Sequence, residues 1–342
     1  MKAKTAFVTE IAEVPLEMPH GGDMFVLSDG SLIVFGKDSW RTFSGACIID
    51  IENGCVTELA VPIMGSFQAI YCDHDEFLIL DRKTGEVSLW NPLDSSIVIL
   101  ETKSGAGQWV AHDQLDQVIY ILANLDLSSS SAGFDYEYHV SCLGCFDLKS
   151  RSFIDEFKPV RGHDIRGMVV QDNNTILAVG YGRLYGFCAH FSMKLEEIGN
   201  ESSRHVDGLS LKHGDGITFI GRCSNNSMLA LCEDDKAYAV IYIAKGSKHG
   251  RILWKQSALK RSYVFFKAAI EISAKQQLLI LKGRSQHVIL LYTEGVGIEE
   301  IKRVNIESIS CGILTPNGEI YVAGNGLVHR LNFPQGSFKD HV

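Results

Sequence analysis

The most informative part of the sequence begins at residue 67 and reads Phe67-Gln-Ala-Ile-Tyr-Cys72, Asp73-His74-Asp75 and Phe77-Leu-Ile-Leu80. A third apolar run follows, Glu86-Val-Ser-Leu-Trp90. Short polar side chains favour turn geometry, and continuous apolar runs of about four to eight residues are typical of strands that are buried on both faces. The stretch therefore predicts a hairpin of buried strands with a further strand beside it.

The same hairpin recurs along the whole chain at intervals of roughly 40 to 60 residues. A weaker fourth strand follows in most units, and no long stretch shows a helical period with caps. Four strands per unit at this spacing are typical of a β-propeller. We therefore predict an all-β fold, a seven-bladed propeller with four-stranded antiparallel blades, because two stacked sandwiches would leave the similar hairpins unexplained. The predicted turns lie at 28–30, 73–75, 113–116, 172–174, 224–226, 273–275 and 316–318.

The two ends of the chain fit this architecture. The last unit stops after its third strand, and an unassigned strand at 4–14 precedes the first unit. Pairing the N-terminal strand into the last blade would close the ring and cover an open sheet edge. We expect one propeller domain over 1–342, with approximate blades at 16–61, 62–102, 103–160, 161–212, 213–257, 258–304 and 305–336 plus the strand 4–14.

Charge and composition narrow the class of protein. The chain has 342 residues and a formal net charge of −9, from 32 Lys and Arg against 41 Asp and Glu. Nucleic acids and anionic membranes attract proteins with a positive field, so we expect neither as a partner. No apolar stretch approaches the roughly 18 residues of a spanning helix, and no signal-peptide pattern is present. We predict a cytoplasmic protein that is monomeric when free.

The cysteines carry one candidate metal or redox motif. Nine cysteines are scattered along the chain, an odd number that does not indicate a disulfide framework and suits a reducing compartment. The pair Cys142-Leu-Gly-Cys145 has no second CxxC and no paired His, so a zinc site lacks ligands. It also falls in a strand-like run, where side chains three apart face opposite ways. We predict packing residues, no metal and no cofactor.

Fragments of the chain resemble WD40 repeats. Glu86-Val-Ser-Leu-Trp90-Asn91 is similar to the end of the third strand of such a repeat, with Asn in place of Asp, and Gly162-His163-Asp164 resembles the Gly-His that opens a blade. Looser echoes occur at 20–23 and 213–215. The blade pattern covers nearly the whole chain, while no blade carries both signatures. The resemblance implies a rigid interaction platform more often than an enzyme, and names no partner, since function depends on sites rather than folds.

The loops between second and third strands share one face of a propeller with the loops between blades, and we call this the top face. In the first unit, residues 36–43 combine aromatic and cationic side chains, which are common binding anchors; the alternative is that Trp40 folds back onto its own blade. The insertion at 124–138 is aromatic and acidic, and long insertions on one face of a repeat array are often functional; the alternative is a solvated hairpin tip. Candidate partner-binding residues are Lys37, Trp40, Arg41 and Phe43 in the first loop and Phe134, Tyr136 and Tyr138 in the insertion.

Other top loops carry cations that could form a loose positive ring with Lys37 and Arg41. Such a ring would suit an acidic protein or a phosphate-bearing ligand; the alternative is that these cations serve solubility alone. The further candidate members of this ring are Arg82, Arg183 and Arg284.

Two functions from different classes remain. The first is a non-catalytic propeller that binds a protein, in its narrowest form a stand-alone inhibitor such as a bacterial immunity protein that neutralises a toxin or effector. The second is a propeller enzyme, a lactonase, lyase or hydrolase, with its site in the central channel. No Walker, GxSxG or HExxH pattern supports catalysis. Carbohydrate binding ranks low because the tryptophans occupy no repeated position. The polar residues expected on innermost strands are Asp23, Gln68, Gln108, His112, Asp164 and Glu271.

Overall fold

A computed structural model provides the fold, and it describes most of the chain in segments. The described residues are 8–16, 22–37, 42–63, 65–81, 83–102, 108–125, 140–156, 160–161, 163–172, 175–182, 186–192, 216–233, 237–247, 250–257, 265–282, 286–306 and 308–333. They form 28 β-strands. Over these residues no helix is long and apolar enough to cross a membrane.

The strands group into successive antiparallel units. The first unit contains β2 (Gly22–Val26), β3 (Leu32–Lys37), β4 (Phe43–Asp50) and β5 (Cys55–Leu59). The second contains β6 (Phe67–Tyr71), β7 (Phe77–Asp81), β8 (Glu86–Asn91) and β9 (Ser96–Thr102). One bridge, Phe43 to Phe67, joins these two units into a single eight-stranded sheet.

The middle units follow the same order. The third contains β10 (Gln108–Leu115), β11 (Val118–Leu125), β12 (Val140–Asp147) and β13 (Ser152–Glu156), and the short β14 (Val160–Arg161) pairs with β12. The fourth contains β15 (His163–Asp172), β16 (Thr175–Gly182) and β17 (Gly186–Ser192) in its described part. The fifth contains β18 (Gly216–Arg222), β19 (Met228–Glu233), β20 (Ala237–Ile243) and β21 (Gly250–Ser257).

The sixth and last units complete the array. The sixth contains β22 (Phe265–Ser273), β23 (Gln276–Lys282), β24 (His287–Thr293) and β25 (Gly297–Val304). The last contains β26 (Cys311–Leu314), β27 (Ile320–Gly324) and β28 (Leu327–Leu331), with β1 (Val8–Glu13) as its outer strand. The predicted pairing of the N-terminal strand with the last unit is therefore observed, in an antiparallel register from Val8↔Leu331 to Glu13↔Leu327.

The cores form where neighbouring units meet, because each sheet is apolar on both faces. Phe35 of the first unit packs in one buried cluster with Phe67, Phe77 and Trp90 of the second. Another cluster joins the first and last units and includes the N-terminal segment. Its buried members are Ala12, Val14, Leu16, Met24, Leu32, Val34, Cys47, Ile49, Cys311, Tyr321, Ala323 and Val328.

The fourth and fifth units approach especially closely. A Cβ atom added to Gly167 in β15 would overlap the Phe219 side chain in β18. The register of β15 against β16 shifts between Ile165 and Gly167, so the glycine marks a bulge where two backbones come close.

Contacts between units show that their first strands run in the same direction. Near the strand starts, Gln68 Nε2 donates to the Trp109 carbonyl at 2.6 Å, and Gln68 Oε1 accepts from the Trp109 amide at 2.7 Å. Near the strand ends, Asp113 Oδ2 accepts from the Val170 amide at 2.7 Å. The top face is therefore the side on which first strands begin, and we call the side that carries the first hairpin turns the bottom face.

Candidate functional site

Most of the predicted partner-binding residues lie outside the described residues. Of the ten, the structure places Lys37 and Phe43, both at the top of the first unit. Those outside the described residues are Trp40, Arg41, Arg82, Phe134, Tyr136, Tyr138, Arg183 and Arg284.

Lys37 is half-buried and already has partners within its own unit. Its Nζ lies 2.9 Å from Asp23 Oδ1 on the neighbouring strand β2. The same Nζ lies 5.4 Å from the centroid of the Phe43 ring, a cation–π contact. The charge of Lys37 is therefore neutralised locally.

Phe43 differs from the prediction of an exposed anchor. Its side chain is 3% exposed, and its ring centroid lies 5.0 Å from that of Phe35 and 5.6 Å from that of Phe67. The reason is that β4 begins at Phe43, where its pairing with Phe67 draws the ring between the first two units. Phe43 is a core residue, and we remove it from the candidate surface.

The corresponding position of the sixth unit has the opposite character. Lys282 ends β23 and pairs with His287 at the start of β24, as Lys37 ends β3 and pairs with Phe43. His287 is 1% exposed, and neither ring nitrogen makes a well-aligned hydrogen bond, the contact with the backbone of Ile306 being a weak one. Burial, then the charges of Lys282 and Lys267, lower the pKa of His287 to about 4.

Lys267 completes this cluster from the first strand of the same unit. It sits at a register shift between Phe266 and Ala268 of β22, where a bulge redirects a side chain. Burial and then the nearby Lys282 lower its pKa. Within the described ranges, no acidic side chain pairs with Lys267 or Lys282. We call Lys267, Lys282 and His287 the basic cluster.

Sequence reasoning missed the basic cluster. It noticed Arg284 in the same loop but not the residues that flank that loop. A usable signal existed, because aligning Lys282–His287 with Lys37–Phe43 places an imidazole where the first unit has a core phenyl ring.

A second group of polar residues lies on first strands of different units. His112 on β10 keeps contact with solvent, and desolvation by the protein around it lowers its pKa. Asp23 raises and Lys37 lowers that pKa, and both charges also reach Cys311, whose thiol pKa burial raises to about 12. The charges of Asp23 and Lys37 in the first unit thus influence first-strand residues of the third and last units.

Of the other polar residues predicted for the innermost strands, the structure describes the side chains of Gln68 and Glu271 and only the strand positions of Gln108 and Asp164. Gln68 is buried in its bonds to Trp109, and Glu271 is exposed on β22. Gln108 and Asp164 lie on β10 and β15.

On the bottom face, charged groups bond between units. Arg222 of the fifth unit contacts Asp113 Oδ1 of the third unit at 3.2 Å and the Gln114 carbonyl at 2.5 Å. It also donates to Asn226 Oδ1, and Asn226 Nδ2 donates at 3.0 Å to the carbonyl of Gln171 in the fourth unit. Burial raises the pKa of Asp113, while Arg222 opposes that shift. These contacts connect the third, fourth and fifth units, and the groups that make them already have partners within the chain.

A cleft of about 190 Å³ opens on the bottom face between the second and third units. Arg151 Nη2 lies 3.1 Å from Glu76 Oε2 across it. Burial raises the pKa of the Cys72 thiol in its wall to about 12, which leaves the thiol protonated and a poor nucleophile. The cleft is therefore charge-matched by its own residues.

No metal site emerges over the described segments, where no group of three His, Cys, Asp or Glu side chains could hold an ion. Cys142 and Cys145 lie on β12, as the sequence predicted. Cys145 is buried.

Comparisons with known proteins indicate a fold but no family. No family model matches the chain, and no curated protein matches it. Among solved structures, Kuenenia stuttgartiensis hydrazine synthase matches with a TM-score of 0.60 at 11% identity over 93% of this chain and 97% of that one. A streptogramin B lyase matches with a TM-score of 0.58 at 11% identity, covering 96% and 98% of the two chains.

The Cps50 (Swd1) β-propeller domain of Myceliophteria thermophila matches with a TM-score of 0.57 at 12% identity, over 93% of this chain and 99% of that one. Identities this low carry no functional information, because one fold serves many functions. With the successive antiparallel units, these matches show that the chain has a β-propeller fold of WD40-like type.

Proposed function

We propose that this chain is a non-catalytic, seven-bladed propeller that binds a protein partner through its top face. Two features support a closed ring. The N-terminal strand β1 pairs with β28 of the last unit, and one buried cluster unites the N-terminal segment with the first and last units. A ring without open edges makes a rigid platform for loops.

The basic cluster is the observation that favours the top face as the binding face. The chain as a whole has a formal charge of −9, yet Lys267 and Lys282 crowd together without an acidic partner over the described residues. Two half-buried ammonium groups in mutual repulsion destabilise the free protein, and an acidic group from a partner would remove that repulsion. The contact between Arg222 and Asp113 on the bottom face leaves no comparable unpaired charge, because the two side chains neutralise each other.

The alternative is an enzyme with its site at the centre, and one observation favours it. Desolvation lowers the pKa of His112 near the Asp23–Lys37 ion pair, and a neutral imidazole can act as a general base. Binding is favoured over catalysis because Asp23 is engaged by Lys37 and the Cys311 thiol stays protonated. Screening hydrolase and lyase substrates with wild type and His112→Ala tests this alternative; turnover that the variant loses would support it.

A narrower form of the proposal is that the partner is a toxin or effector, which the propeller covers and neutralises in the cytoplasm. A protein captured by the chain would be assayed for toxicity to growing cells, with and without co-expression of the propeller. Rescue of growth supports this narrower form, and toxicity that persists in the stable complex contradicts it.

The experiment for the main proposal is affinity capture from native lysate with matched charge reversals. Lys267→Glu/Lys282→Glu changes the top of the sixth unit, and Lys149→Glu/Lys275→Glu makes the same charge change at exposed bottom-face turns. We expect one stoichiometric protein that the first variant loses by at least about ten-fold and the control keeps, since a charged contact contributes about 1.5–3 kcal/mol. Trp40→Ala/Arg41→Ala tests the anchors predicted from sequence. Equal retention by both charge variants contradicts the proposal.

A further inference from the structure

We propose that the basic cluster is a binding site for a tetrahedral oxyanion, a phosphoryl group held between Lys267, Lys282 and His287. This inference deepens the proposed function, because it names the chemistry that the top face recognises. Its test uses the isolated chain without a protein partner, so that the two ideas can fail separately.

The first argument is geometric. Three successive strands of one sheet bring the residues to one edge: Lys282 lies opposite Phe265 of β22 and opposite His287 of β24. Lys267 stands at the bulge two residues further along β22. The strand ladder thus holds three basic side chains at the top of one unit.

The second argument is the state of His287. A buried polar group is ordinarily hydrogen-bonded, and each exception calls for an explanation. His287 is 1% exposed, and neither ring nitrogen makes a well-aligned hydrogen bond; the backbone of Ile306 is near enough only to oppose weakly the lowering of its pKa. An oxyanion between the lysines would accept a hydrogen bond from the imidazole, and so would supply a well-aligned partner.

The third argument is charge. The groups that face His287 are Lys282 on β23, Lys267 on β22 and the backbone of Ile306 beyond β25, a weak hydrogen-bond partner that raises the pKa of His287 against the effect of the lysines. An anion reverses this balance, because a nearby negative charge favours protonation of the imidazole. Three positive donors suit a dianionic tetrahedral group better than a single carboxylate.

The first unit shows that this arrangement is not imposed by the fold. There Asp23 neutralises Lys37 at 2.9 Å, and Phe43 fills the position of His287. The same scaffold position is sealed in one unit and left basic in the other.

The test is a calorimetric titration of inorganic phosphate into the full chain, with chloride at equal ionic strength as the reference. We expect saturable binding that Lys267→Met/Lys282→Met weakens at least about ten-fold. Lys83→Gln, which removes an exposed lysine in a top loop of the second unit, should bind phosphate as wild type does. Phosphate that binds no better than chloride, or binds the double variant as well as wild type, overturns the proposal.

Two further arms separate sources and chemistry. Tighter binding of O-phosphoserine than of phosphate assigns the site to a phosphorylated side chain, and the reverse order assigns it to a free phosphate; both support the proposal. Acetate that binds more tightly than phosphate overturns it in favour of a carboxylate.

A pH series with sulfate, which does not titrate in this range, provides a readout that a merely structural role would not move. Wild type should bind sulfate more tightly as the pH falls from 8 to 6, because binding is linked to proton uptake by His287. His287→Phe should abolish this dependence while the chain stays folded, as Phe43 does at the matching position. Equal pH dependence in both proteins contradicts the role of His287.

Discussion

The tops of the first and sixth units share one backbone plan and differ in chemistry. In the first, Lys37 is paired with Asp23 and covered by the Phe43 ring. In the sixth, Lys282 is paired with no acid among the described residues, and it faces an imidazole and a second lysine. Strand register therefore determines the position of a side chain. The residue type at that position determines whether the position belongs to the buried core or to a candidate binding site.

The largest expected effect comes from removing the Phe43 ring from the core at the top of the first unit. Phe43→Ala should lower the free energy of unfolding by about 3–5 kcal/mol, because it opens a cavity among packed rings. Chemical denaturation measures the loss. Val296→Ala, at a side chain that is 82% exposed, is the control and should change stability by less than about 0.5 kcal/mol. A loss below about 1 kcal/mol for Phe43→Ala would place the ring outside the core.

The next effect concerns the stability of the protein in acid, and it tests the state of His287 in the sixth unit. The folded-state pKa of His287 is about 4, below the ordinary value of 6.5. Above pH 6.5 the imidazole is neutral in both states and contributes no pH dependence. As the pH falls from 6.5 toward 4, the unfolded chain binds the proton more readily, so stability falls by up to about 1.4 kcal/mol per pH unit from this residue.

Replacing His287 with Phe should remove this part of the acid sensitivity and leave stability at pH 7 equal or higher, because buried nitrogens without well-aligned hydrogen bonds disappear. Denaturation midpoints of both proteins at pH 7.5 and pH 5 give the comparison. A drop between the two pH values that is unchanged by the substitution would mean that His287 titrates normally in the folded state.

The smallest expected effect comes from removing the Asp23 carboxylate, which makes the top of the first unit more similar to that of the sixth. Asp23→Asn leaves Lys37 without its carboxylate, and we expect a loss of about 1 kcal/mol, since Asp23 is partly exposed and solvent screens the pair. The same variant should gain weak phosphate binding that wild type lacks at that unit. Asp29→Asn at an exposed bottom-face turn is the matched control. No change in either property would show that the Asp23–Lys37 pair contributes nothing to sealing the first unit.

Hairpin positions were predictable because turn residues and apolar runs are local signals. Asp113 marks a limit: the sequence placed it in a turn, but the β10–β11 ladder continues to Leu115↔Val118, and Asp113 bonds to other units. Phe43 marks a second limit. An aromatic residue beside a polar loop can face either the core or solvent at the start of a strand, and the sequence alone does not show which.

The candidate site was less accessible to sequence reasoning than the fold. Lys267 and His287 are twenty residues apart, and only the pairing of β22, β23 and β24 brings them to one edge. Their unusual state arises from burial and mutual repulsion, which depend on tertiary packing and leave no motif. Arg222 and Asp113, which latch the bottom face from 109 residues apart, were missed for the same reason.

The central claim, that the top face binds a protein partner, is tested most directly by amide hydrogen exchange of the chain with and without its captured partner. We expect slower exchange in peptides at the top of the sixth unit, around 265–268 and 280–289, with bottom turns around 224–227 and 316–319 unchanged. Protection confined to the bottom turns, or no protection in a stable complex, would contradict it.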